Sequence, residues 1–177
     1  MTAADAAANG GPLAPDSLHL VQSLANTLTP GTDVLDARDE AVAWLRAAAL
    51  LPGDAGLSNS EHAALVRLRD SVRDVVATHT DGQPDDAAAA RLTRALADGR
   101  VVVTVDQASA VHLASAARSS YPSLVAAIAV AVAESAAVGT WPLLKSCSAP
   151  GCGLAFYDDS AAAAATRCAA HAADHGA

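Results

Sequence analysis

Aromatic residues are nearly missing from this chain. They make up 3% of its 177 residues, as one Phe, two Tyr and two Trp. A core without large rings has to be filled by Leu, Val and Ala, which suits closely packed helices. Cations are also scarce, with 11 Lys and Arg against 19 Asp and Glu for a net charge of −8. That balance argues against a general nucleic-acid binder, whose phosphate contacts need clustered positive charge. No apolar run is long enough for a membrane span of roughly 20 residues. The longest, Leu124 to Val138, is interrupted by Glu134 and predicts a buried core helix. Residues 1–16 have no basic region and no continuous apolar stretch, so they read as a flexible tail rather than a secretory signal. Nor is there a P-loop, a G-x-G-x-x-G turn after a strand, a G-x-S-x-G elbow or an H-E-x-x-H helix. Three cysteines, an odd number, and no export signal lead to the expectation of a cytoplasmic protein with reduced thiols.

Alanine is abundant instead, roughly a quarter of the chain, and it favours a mainly α fold. Ser17 is placed to cap a helix over 18–28, in which Leu20, Leu24 and Leu28 recur at helical spacing. Pro30-Gly31-Thr32-Asp33 stops it, and a second helix is expected over about 36–50. Ser58 and Glu61 have the spacing of a capping box. They open a third helix whose apolar stripe is Ala64, Leu65, Leu68, Val72, Val75 and Val76. Arg67, Arg69, Asp70, Arg73 and Asp74 fall on its other faces and read as a solvated, ion-paired surface. A short helix over about 85–97 follows the loop Asp81-Gly82-Gln83-Pro84. The β-branched run Val101 to Val105 and the alternation Ala110 to Ala114 predict a small β-hairpin, before a long helix from Tyr121 to Val138.

The chemistry collects at the C-terminal end, as Cys147-x4-Cys152-x15-Cys168-x2-His171, with His175 four residues on. Zinc wants four soft or borderline ligands in a tetrahedron, and two short loops supply them. Pro150, Gly151 and Gly153 give the first loop the turn of a zinc knuckle. Three unrelated cysteines, or a Cys147–Cys152 disulfide, are the other readings of this spacing. The expected ligands are Cys147, Cys152 and Cys168 with His171 or His175, a closed set that suits structural Zn²⁺. Three cysteines and a water would leave the site open. His19, His62, His79 and His112 are scattered and form no local metal motif. Glu134 and Asn26 are single polar groups on apolar helices. Either could line a pocket in the helical part; the plainer readings put Glu134 on an exposed edge and bond Asn26 to nearby backbone. Leu154, Phe156 and Tyr157 could instead face a protein partner.

Several of these segments resemble the ABATE-domain/CGNR zinc-finger family of stress-induced transcription regulators. Leu20 to Leu28 is similar to its opening "LDFVNTL" helix, and Asp39 to Leu45 with Leu50-Leu51 to its "L-x-x-WL…GLL" segment. Leu65 to Arg73 resembles its "LR-x-x-L/V-R" helix. The most specific match is Leu144 to Ser160 against "LRxCxxPxCxxxFxDxS", with Thr166-Arg167-Cys168 where the family has "RRWC". The resemblance implies a helical ABATE-like domain over 17–140 and a CGNR-like, treble-clef-like zinc module over 141–177. It implies a transcription-associated role, with the helical domain sensing a small-molecule ligand or holding a homodimer. Two departures stand out. Ala173 replaces the fourth cysteine, and the family's basic stretch between the second and third cysteines has become Asp159 and Ala161 to Ala165. Lys145 and Arg167 are the only fixed cations in 141–177, so DNA binding is expected to be weak or lost. Ser23 stands where the family's opening helix has Asp. The alternative expectation is a small-molecule-binding protein or enzyme, with zinc purely structural.

Overall fold

Pro15, not Ser17, opens the first helix. In the computed structural model, which describes residues 14–51, 53–117 and 121–172, Pro15 sits at the N-cap and its carbonyl accepts from the Leu18 amide at 2.7 Å. Proline's fixed φ already suits a helix start, so Ser17 falls inside the first turn. Helix α1 is Asp16–Ala25, three residues shorter at its end than the leucine spacing predicts. Leu28 instead enters a two-residue strand. Strands β1 (Leu28–Thr29) and β2 (Thr32–Asp33) form a tight antiparallel pair around Pro30-Gly31. Helix α2 is Arg38–Ala47.

Helix α3, Asn59–Asp81, begins with the capping box: the Ser58 hydroxyl accepts from the Glu61 amide, and the Glu61 carboxylate accepts from the Ser58 amide. Leu65, Leu68, Val72 and Val76 form its buried stripe. Arg69 is a correction to the solvated-face reading, because it is buried in an ion pair with Asp33 and a second with Asp70. Arg73 also turns inward, donating to the carbonyls of Ala25 and Leu28 at 2.8 and 2.9 Å. It thereby satisfies acceptors left open where α1 ends. Helix α4 is Asp86–Leu96, capped by the Asp85 carboxylate. Strands β3 (Val101–Val105) and β4 (Val111–Ser115) then make the expected hairpin.

Helix α5 runs from Tyr121 to Ala137 and packs against α1, α4 and the β3–β4 hairpin. The chain passes so close to it at Gly99 that an added Cβ would lie 2.7 Å from the Ala126 nitrogen. Only glycine fits that approach. A 3₁₀ turn at Trp141–Leu143 leads to strand β5 (Leu144–Ser146), which pairs with β6 (Ala155–Tyr157). Fold class is therefore as expected: five α-helices and three two-stranded hairpins among the described residues. One apolar core joins Leu18, Leu24, Leu65, Leu68, Leu124 and Ile128, and it continues into Leu144 and Ala155 of the last hairpin. No described helix is long and apolar enough to cross a membrane.

Candidate metal centre

Strand β5 delivers Cys147 into a small second core. Cys147 and Cys168 are buried there with Ala149 and Phe156. The Cys147 amide donates to the Leu154 carbonyl at 2.9 Å, and the Cys152 amide to Ala149 at 3.0 Å. These bonds fold residues 147–154 back on themselves, with Gly151 and Gly153 both at positive φ. At Gly153 a side chain would also meet the Arg73 guanidinium, 2.9 Å from the position of its Cβ. The Ser148 amide reaches the Thr166 carbonyl at 2.9 Å and so brings the third-cysteine segment alongside. A 3₁₀ turn at Ala169–His171 follows Cys168. Residues three apart eclipse in such a turn, which carries the His171 Nδ1 to 3.3 Å from the Cys168 sulfur and 3.6 Å from that of Cys147.

The ligand atoms of Cys147, Cys152, Cys168 and His171 all lie within 4.8 Å of one another. In a tetrahedral site with bonds of about 2.0–2.3 Å, neighbouring ligand atoms sit about 3.5–3.8 Å apart. The cluster is close to that spacing, and the three cysteines are free thiols rather than a disulfide. Their acidities fit a set of converging sulfurs. Burial raises the Cys147 thiol, yet the amides of Cys168 and Ala149 and the neighbouring thiols outweigh it and bring it down to about 7. Cys168 is pushed up to about 11 by burial and by the Cys147 and Cys152 sulfurs, and Cys152 is also raised, chiefly by burial. One thiolate forms readily and opposes the next, which is the electrostatic situation that a bound cation relieves. The structure brings Cys147, Cys152, Cys168 and His171 together, and a Cys₃His donor set is compatible with a metal. His175 lies outside the described residues.

A buried ion pair braces the finger, and one member is Lys145, which the sequence shows only as one of two fixed cations in 141–177. Lys145, the only lysine of the chain, is 5% exposed and Asp158 is 3% exposed. The ammonium donates to the Asp158 carboxylate at 2.8 Å and to the carbonyls of Ala163 and Ala165. Asp158 also accepts from the amides of Ser160 and Ala165 and from the Ser160 hydroxyl. Burial works against its ionised form, but Lys145 and Ser160 prevail and hold the carboxyl below the usual carboxylate range. Phe156 is buried in the finger's own core, so it is not offered to a partner.

Asn26 is bonded to a strand of the finger, not to backbone near it in sequence. Its side chain donates to the Ala155 carbonyl at 2.9 Å and accepts from the Ala155 amide at 2.8 Å. Gln22, fully buried one turn earlier, donates to the same carbonyl at 3.3 Å. From α3, His79 donates to the Leu144 carbonyl at 2.8 Å, and Thr80 exchanges two bonds with Ser146 at 2.9 Å each. Burial keeps the His79 imidazole below its ordinary pKa. Gln22, His79 and Thr80 were missed as docking residues. The available signal was a second amide, four residues before Asn26, on an otherwise apolar helix face. Glu134 is exposed on α5. His62 donates to the Leu35 carbonyl, His112 pairs with Asp106, and His19 is exposed.

The helical region that carries this finger decides the kinship. Residues 18–139 match the family model of the ABATE domain, described as a putative stress-induced transcription regulator. The chain belongs to the ABATE family. No curated protein matches it. In this ABATE chain, Gln22 and Asn26 from the opening helix, and Arg73, His79 and Thr80 from α3, all meet the β5–β6 segment.

Proposed function

We propose that Cys147, Cys152, Cys168 and His171 hold a structural zinc ion in a regulator-type ABATE protein of the cytoplasm. The observation that carries this is the convergence of three thiols and one imidazole within 4.8 Å. Soft thiolates and a borderline imidazole in a closed tetrahedral set suit zinc. Zinc held in that way supplies folding free energy and keeps no coordination position open for catalysis. The finger is of the CGNR type over 141–177, with the fourth ligand supplied by histidine in place of cysteine. Metal analysis of the purified protein tests the assignment: one zinc per chain is expected. A folded, metal-free protein overturns it. Loss of zinc in His171→Ala but not in His175→Ala identifies the fourth ligand.

DNA contact through this finger is weak or absent. Lys145 is buried against Asp158, which leaves Arg167 as the fixed cation of the described finger that can reach a phosphate. Any DNA binding is therefore expected to change little with salt; a steep salt dependence refutes this reading. The helical domain, 17–140, carries the regulatory role by sensing a ligand or holding a homodimer. One observation favours small-molecule binding as a second reading. A cleft of 430 Å³ between α3 and α4 is lined by Arg67, Arg91, Arg94, Asp70, Asp74 and Tyr121 among others. Thermal stabilisation by a small zwitterion, lost in Arg94→Ala, is the expected sign of that activity.

A further inference from the structure

The β3–β4 hairpin is apolar where it should not be if it stood alone. Val103, Val105 and Val111 are 65%, 63% and 67% exposed, and Val101 and Val102 are about 40% exposed. Among the described residues the sheet has only these two strands, and no third strand lies beside the outer edge of β3. Monomeric proteins protect such edges with lysine, proline, an inward-pointing charge or a bulge. Val101-Val102-Val103-Thr104-Val105 contains none of these and is β-branched at every position.

The backbone parity of this edge is defined. The Arg100 carbonyl accepts from the Ala116 amide, and the Asp106 amide donates to the Ala110 carbonyl. Alternation along an antiparallel ladder then turns the N–H and C=O groups of Val101, Val103 and Val105 away from β4. These three residues are evenly spaced about Val103. A second β3 brought up antiparallel with Val103 on the two-fold axis places Val103 opposite Val103 and Val101 opposite Val105. Every outward N–H then finds an outward C=O.

The same register pairs the charges. Arg100 comes opposite Asp106 of the second copy, and Asp106 opposite Arg100. Both are exposed, and the Arg100 side chain makes no ion pair among the described residues. Asp106 is fixed in place by the amides of Ala108 and Ala110 and by His112. His112 and these amides also hold its carboxyl below the usual range, so it is ionised at neutral pH. Directly opposed unlike charges stabilise a strand pair, and like charges there would oppose it. For a chain with a net charge of −8, this edge is a place where two copies meet without acid facing acid.

We infer that the ABATE chain forms a two-fold dimer by antiparallel pairing of β3 with β3 of a second copy, giving a continuous four-stranded sheet with Val103 on the axis. Such an interface is isologous, each copy offering the same strand, and it uses neither the metal ligands nor the α3–α4 cleft. Sedimentation of the purified full chain over a concentration series tests it. The wild-type chain should dimerise. Val103→Lys should be monomeric with an unchanged far-UV spectrum, and its melting point should equal the wild type's at dilutions where the wild type is also monomeric, because the side chain is exposed in the free hairpin. Arg100→Glu should weaken the dimer about tenfold through two like-charge pairs, and Val138→Lys, at an exposed valine of the loop after α5, should leave it unchanged. A wild-type chain that stays monomeric overturns the inference. So does a dimer that survives Val103→Lys, or one that ignores Arg100→Glu.

Discussion

Two hairpins of similar size have opposite fates in this chain. The β5–β6 hairpin has three residues per strand, and helix-borne side chains bind backbone groups of its Leu144, Ser146 and Ala155. Leu144 and Ala155 lie in the main core, and Asn26, Gln22, His79 and Thr80 satisfy its backbone. The β3–β4 hairpin has five residues per strand, more apolar side chains, and an open edge. Hydrophobicity alone would bury the second and expose the first. What separates them is polar satisfaction: buried backbone groups need partners, and helices α1 and α3 supply those partners to β5–β6 only.

Metal removal should widen this contrast most. Zinc in small modules supplies on the order of 10 kcal/mol of folding free energy. A chelator is therefore expected to unfold residues 147–171, while amide protection in Val101 to Val105 stays as it was. Trp141 stands edge-on to His79 at 5.0 Å and reports the change by fluorescence. Equal loss of protection in both hairpins would show that they are not independent.

Next in size is the buried ion pair. Lys145→Ala leaves Asp158 charged and buried, at an expected cost of about 3–5 kcal/mol in denaturant unfolding. Asp158 has a folded pKa below its ordinary 3.8, so its contribution is complete above about pH 5 and fades as pH falls through 3.8 and below. In Lys145→Ala that acid-side loss should be much smaller.

A smaller effect is expected from Asn26→Ala, which strands the Ala155 amide and removes one acceptor's donor. About 2–3 kcal/mol should be lost, read as a lower midpoint in urea with zinc still bound. Loss of zinc as well would mean that the helical domain shapes the metal site and does not merely hold it. Smallest of all, Val103→Lys should change monomer stability by less than about 0.5 kcal/mol. A larger drop would place this valine in contacts that its exposure does not reveal.

Local sequence grammar was readable where both partners lie within a few residues. Ser58 with Glu61 and the β3–β4 hairpin follow from spacing, and both form as expected. Cys147, Cys152 and Cys168 could be grouped because sulfur chemistry gives them a common purpose. The failures involve partners far apart in sequence. Arg69 looks like a helix-surface cation until Asp33 arrives from β2. Asn26 finds Ala155, 129 residues away; the Gln22 amide one turn earlier hints at a buried polar role but does not point to that partner. Lys145 reads in the sequence as one of two fixed cations of 141–177, and Asp158 as one of the acids set against them. Their pairing depends on the loop carbonyls of Ala163 and Ala165, which a one-dimensional pattern does not display. The α1 boundary failed for a different reason: Pro15 and Ser17 both suit a helix start, and spacing did not choose between them.

The burial of Lys145 gives the chain an unusual covalent chemistry. No other side chain carries a primary amine, and this one is enclosed by a carboxylate and two carbonyls. Acylating reagents that decorate the lysines of most proteins will find no side-chain target while the finger is closed. Each acylated Lys145 then marks a molecule that has opened. One ε-amine thus serves as a built-in clock for the breathing of the finger.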